Sequence, residues 1–211
     1  MDSDTVWTRI DAARAELADL FDTLTPQQWE TPSLCAGWSV RDVGAHLCMA
    51  QSRLRDVLGP ALRARLDYNT MVRTTARDLP LSTAQIATTL RGMRGSRRRA
   101  PFVSELEPLI DVLVHTQDVR VPLGFPAPMP LDAAVAAADR MVVLNRRRPI
   151  RLRAPLTGVR LVADDVAWSS GSGPEVRGPV QALVMLLAGR DSAARPHLSG
   201  ALDLVAANPG P

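Results

Sequence analysis

The chain has 211 residues, 46% of them hydrophobic, which supports a packed core and excludes a wholly disordered protein. Its 25 basic and 22 acidic residues leave a formal charge of +3, too balanced a distribution to imply a nucleic-acid partner. No run of about 18 uncharged apolar residues occurs, and the start MDSDTVWTRIDAARAEL is acidic where a signal peptide would be basic and then apolar. The expectation is a cytoplasmic protein with no membrane partner.

Residues 4 to 24 place Val6, Ile10, Ala13, Leu17, Leu20, Phe21 and Leu24 at spacings of three and four, which predicts a first helix with one buried stripe. Thr25-Pro26 opens a short helical piece ending near Trp29, and TPSLCAGW follows as an ordered loop. Ser39 and Asp42 form a capping-box pair, and Trp38 is placed to staple onto Val43. The stripe Val43, Leu47, Ala50, Leu54, Leu58 then predicts a second helix running to Gly59. A third helix is expected over 61–78.

Ser82 with Gln85 repeats the capping pattern and predicts a helix over 82–95. Ser104 with Glu107, followed by Pro108, predicts one over 105–119, stopped by Pro122 and Gly124. FPAPMP reads as a stiff extended linker, and Leu131 to Asn145 as an Ala-rich helix that closes the bundle. From Pro149 the pattern alternates, and IRLRAPL, VRLVADD and VAWSSG predict short antiparallel strands turning at Asp164-Asp165. Gly178-Pro179 then starts a helix that Gly189 caps. These elements give a mainly α fold: a helical bundle over 1–148 with four long helices, followed by a small α/β domain over 149–211.

All the basic residues are arginine. The triplets at 97–99 and 146–148 flank expected helix ends, where cations favour the helix dipole, and are read as solvated ends rather than phosphate contacts. Cys35 and Cys48 show neither a disulfide framework nor a zinc-knuckle spacing. Neither has a histidine or lysine beside it in the sequence, so both are expected as reduced core or loop thiols.

Chemistry is expected from two of the three histidines. His46 lies at the edge of an apolar stripe, which aims its imidazole inward, where it needs a partner. Asp111 and His115 are four apart on another helix and project from one face. Two imidazoles and a carboxylate make a three-ligand set with room for water or substrate, as in catalytic zinc sites. The same residues also suit a satisfied core histidine and an ordinary Asp/His hydrogen bond, and the spacing alone leaves both readings open.

The local sequences add a resemblance. WETPSLCAGWSVRDVGAHL is similar to the entry into the second helix of the mycothiol-dependent maleylpyruvate isomerase family, itself related to DinB-like metal-binding bundles. VLVHTQDVRVPLG resembles the family's second histidine segment, and WSSGSGPEVRGPVQALVMLLAGR its small C-terminal domain. The resemblance implies a DinB-like helical bundle with metal ligands at His46 and His115. The third ligand falls on Asp111, where the family pattern has Glu, and the shorter side chain requires closer helices or a bridging water.

Asp118 is placed either to orient His115 through its free ring nitrogen or to bond Arg120. The resemblance further implies an arginine of the C-terminal domain that binds substrate carboxylate. Arg177 and Arg190 are the candidates, and a structural role is open for each.

The expected function is that of a metal-dependent enzyme, zinc being the most suitable divalent ion. By the resemblance, it would use mycothiol as cosubstrate in isomerisation of, or thiol transfer to, an electrophilic small molecule. The alternative is a non-catalytic, metal-dependent small-molecule-binding protein.

Overall fold

The computed structural model describes residues 1–51, 78–99, 103–146 and 156–206. They fall into two compact units, Asp2–Pro126 and the chain from Ala127 onward.

In the first unit, α1 (Ser3–Thr23) starts at Asp2, whose carboxylate accepts the Thr5 N–H at 2.9 Å. The short α2 (Pro26–Trp29) opens on a capping box of Thr25 and Gln28. The Ser39/Asp42 box opens α3 (Val40–Cys48), and the Ser82/Gln85 box opens α4 (Thr83–Gly92), both reciprocally bonded as the sequence predicts. The helix begun by α3 tightens into a 3₁₀ turn over Met49–Gln51. Its expected continuation to Gly59 and the helix expected over 61–78 lie outside the described residues.

The last helix of this unit, α5 (Leu106–Arg120), corrects one expectation. Ser104 does not cap it through the Glu107 N–H; Glu107 instead accepts both the backbone N–H and the hydroxyl of Ser104, and the N-cap position passes to Glu105. With its proton committed to Glu107, the Ser104 oxygen accepts from the Leu106 N–H at 3.3 Å.

Both α1 and α3 pack on α4 and α5, and the core between them is built from Leu17, Phe21, Trp29, Trp38, Val43, Ile86 and Leu90. Gly44 permits the closest approach. A Cβ there would stand 2.9 Å from Cγ2 of Ile86 and 3.2 Å from the ring of Phe21.

The second unit begins with the extended FPAPMP segment's end and α6 (Leu131–Asn145), whose bounds match the sequence reading. α6, grouped by sequence with the bundle, packs on α7 (Val180–Leu187). Asn145 donates to the Leu187 carbonyl at 2.9 Å, and the indole N–H of Trp168 donates to Asp139 at 2.8 Å. These polar ties, the first of them buried, explain why α6 belongs to this unit.

The sheet, in order β2-β1-β3-β4, comprises β1 (Arg160–Ala163), β2 (Ser169–Gly171), β3 (Glu175–Gly178) and β4 (Ser199–Gly200). It is mixed rather than antiparallel: β1 pairs antiparallel with β2 but parallel with β3, and β3 pairs antiparallel with β4. The parallel pairing needs no long crossover, because the chain wraps tightly around the start of β1. Gly171 and Gly173 have φ of 89° and 116°, and a Cβ on either would meet the carbonyl oxygen of Val159 or Gly158 at 2.5 or 2.4 Å. Asp165 then accepts the Val180 N–H at 2.8 Å, capping α7 from the β1–β2 loop. After α7, Gly189 turns with φ of 76°, and a short helix, α8 (Asp191–Ala194), follows.

Candidate metal centre

Two helices and one loop of the first unit build the site. His46 stands in the last turn of α3, and Asp111 and His115 lie a turn apart on α5. Nε2 of His46 is 3.1 Å from Oδ1 of Asp111, and Nε2 of His115 is 3.5 Å from the same oxygen. The two imidazoles meet edge to face with centroids 4.8 Å apart. One atom from each of the three residues lies within 4.8 Å of the others.

These separations suit a shared ion. Nitrogen and oxygen ligands about 2.0–2.1 Å from a tetrahedral zinc stand roughly 3.3 Å apart, which the observed 3.1 and 3.5 Å bracket. The Asp111 carboxylate lies within reach of both imidazoles.

Asp118, whose carboxylate is completely buried, lies against the other ring nitrogen of His115. Its Oδ2 lies 2.8 Å from Nδ1 of His115, which leaves Nε2 directed at Asp111. Arg120, the other partner considered for Asp118, donates to the Pro126 carbonyl at 2.8 Å.

Two contributors were not read from the sequence. Trp38, expected only to staple the start of α3, stacks nearly parallel to His115 (centroids 6.3 Å, 7°) and edge-on to His46 (5.3 Å, 66°). Arg14 of α1 is 3% exposed, and its buried Nη1 has no hydrogen-bond partner among the described residues. It sits on the Ile10–Leu17 face, and that spacing was the signal available for it.

Burial raises the pKa of Asp111, but the charge and hydrogen bond of His46, then the charges of His115 and Arg14, outweigh it and hold the carboxyl at about 2. Because this lies below the usual 3.8, the contribution of Asp111 to stability is present above about pH 4 and is lost as pH falls through about 2. Urea midpoints of metal-free wild type and Asp111→Asn are therefore expected to differ at pH 5 and to converge toward pH 2. A gap independent of pH would show that Asp111 does not carry this charge interaction.

Both cysteines are free of disulfides. Cys48 is inert: burial pushes its thiol up to about 12. Arg177 and Arg190 lie in the second unit. Arg177, on β3, donates to Glu175 at 2.7 Å and is nearly half exposed; Arg190, at the N-cap of α8, donates to the Ala188 carbonyl at 3.0 Å. Of the arginine triplets, Arg97 pairs with Asp4 at 2.7 Å and Arg99 donates to the Val103 carbonyl at 2.8 Å. Among the described residues no helix is long and apolar enough to cross a membrane.

A helical bundle with an inward His, Asp and His on two helices, continued by a small mixed α/β unit, defines the class of protein. Residues 10–103 match the model of the mycothiol maleylpyruvate isomerase N-terminal domain. His46 falls inside the match, and Asp111 and His115 lie beyond it. A crystal structure of the mycothiol-dependent maleylpyruvate isomerase is similar with a TM-score of 0.59 at 12% identity, covering 100% of this chain and 97% of the other. A histidine-to-alanine mutant of that isomerase is similar at 0.53 and 13%, with the same coverage. At such identities the likeness establishes the fold. No curated protein matches the chain in sequence.

Proposed function

We propose that the protein is a metal-dependent enzyme using mycothiol, a low-molecular-weight thiol, as cosubstrate for isomerisation of, or thiol transfer to, an electrophilic small molecule. The observation that carries this reading is the convergence of His46, Asp111 and His115 at ligand-to-ligand spacing. A divalent ion held there, zinc being best suited to the donors, supplies the Lewis acidity that keeps a thiol as thiolate at neutral pH.

The chain's own residues prepare that chemistry. Asp118 holds a proton on Nδ1 of His115 and so directs the Nε2 lone pair inward. Trp38 braces both imidazole rings with an apolar surface that excludes water from that side. Asp111 remains anionic throughout the physiological range. For a substrate carboxylate, Arg177 and Arg190 are the proposed partners, since a guanidinium fork binds it in two places.

Turnover of a panel of electrophiles, assayed with and without mycothiol, tests the reading. Thiol-dependent turnover is expected, and turnover indifferent to the thiol would refute it. Binding of metal and thiol without turnover of any electrophile would favour the non-catalytic alternative. Asp118→Asn is expected to weaken metal affinity 10–100-fold, the usual loss when a ligand histidine's carboxylate partner is removed. Competition with a chromophoric chelator measures this, and unchanged affinity would remove Asp118 from the site.

A further inference from the structure

The ring of His115 faces two sets of donors. Nε2 looks toward Asp111 in the site above, and Nδ1 looks toward Asp118. The thiol of Cys35 joins the Asp118 side: its sulfur, a nitrogen of His115 and an oxygen of Asp118 lie within 4.8 Å of one another.

This second cluster is built into the fold. Cys35 is 8% exposed and Asp118 completely buried. The Leu34 N–H donates to the Asp118 carbonyl at 3.2 Å, which fastens the loop carrying Cys35 to the end of α5. Ser33 accepts the Cys35 N–H at 3.1 Å and fixes the loop from within.

We propose that Cys35, His115 and Asp118 form a second cation site, back to back with the first, that takes a zinc-like divalent ion through thiolate sulfur, Nδ1 and carboxylate. A sulfur donor selects such ions over magnesium, calcium or manganese. On binding, bonds form from the ion to sulfur, nitrogen and oxygen; the Cys35 thiol proton and the Nδ1 proton pass to solvent, and the His115–Asp118 hydrogen bond breaks. The second ion binds more weakly than the first, because it displaces that hydrogen bond and is repelled by a like charge across one imidazole. Excess zinc is therefore inhibitory, since it removes the grip of Asp118 on the ligand ring.

Cobalt(II) titration of the metal-free full-length protein tests the site. Wild type is expected to take up two equivalents, the second bringing a near-ultraviolet thiolate-to-cobalt charge-transfer band. Cys35→Ser should stop at one equivalent without the band, and His46→Ala should lose the first site while keeping the band. Saturation of wild type without the band, or persistence of the band in Cys35→Ser, would overturn the proposal. The first site is read from its dependence on His46 and the second from its dependence on Cys35, so either assignment can fail without the other.

Discussion

Alanine at position 46 or 115 is expected to leave a folded protein that no longer holds an ion between α3 and α5. Each change removes one of three donors, and the two that remain cannot close the coordination of a tightly held ion. The lost Lewis acidity is worth several kcal/mol of transition-state charge stabilisation, so thiol-dependent turnover should fall on the order of a thousandfold. Asp111→Glu provides the contrast: it adds the methylene that the family pattern carries and should keep the ion. Metal content of the purified variants, with circular dichroism to verify helix content, measures the effect. Stoichiometric metal in both alanine variants would dismiss the assignment.

Leu17→Ala should destabilise the first unit by about 2–5 kcal/mol, the range for truncating a fully buried leucine. Leu17 is 0% exposed and belongs to the cluster that includes Phe21, Trp38, Val43 and Ile86, so the missing methyls leave a void between helices. At about 2–4 °C per kcal/mol for a chain of this size, the melting temperature should drop by roughly 5–20 °C. Leu204→Ala, at a leucine 53% exposed, should stay within about 0.5 kcal/mol. Equal shifts for the two variants would contradict the core described above.

Local signals made much of this fold readable. The Ser39/Asp42 and Ser82/Gln85 boxes each fix a helix start by short-range bonds, and Leu131–Asn145 has no internal breaker. The sheet was less legible, because its strands are two to four residues long and one parallel pairing depends on glycines wrapping around a neighbouring strand. Ser104 misled for a related reason: two partners compete for one hydroxyl, and composition does not rank them.

At the site, His46, Asp111 and His115 stood out as candidates from helix phase, and as a ligand set only with the family resemblance. Arg14 and Trp38 did not, since a guanidinium on an apolar stripe reads as polar surface and a tryptophan before a capping serine reads as a staple. Cys35 was set aside because no histidine adjoins it in the sequence, yet chain closure brings His115 beside it from 80 positions downstream.

The donors on α3 and α5 are 65 positions apart, so the pocket exists only after a long segment of chain has closed on itself. Such closure is entropically unfavourable and comes late in folding, when neighbouring helices have already docked. A resident cation would then act as a clasp fastened last: it ignores the unfolded chain, holds the finished bundle by mass action, and makes thermal resistance rise with free metal concentration. In a cell starved of the ion, loss of chemistry and shortened protein lifetime would arrive together.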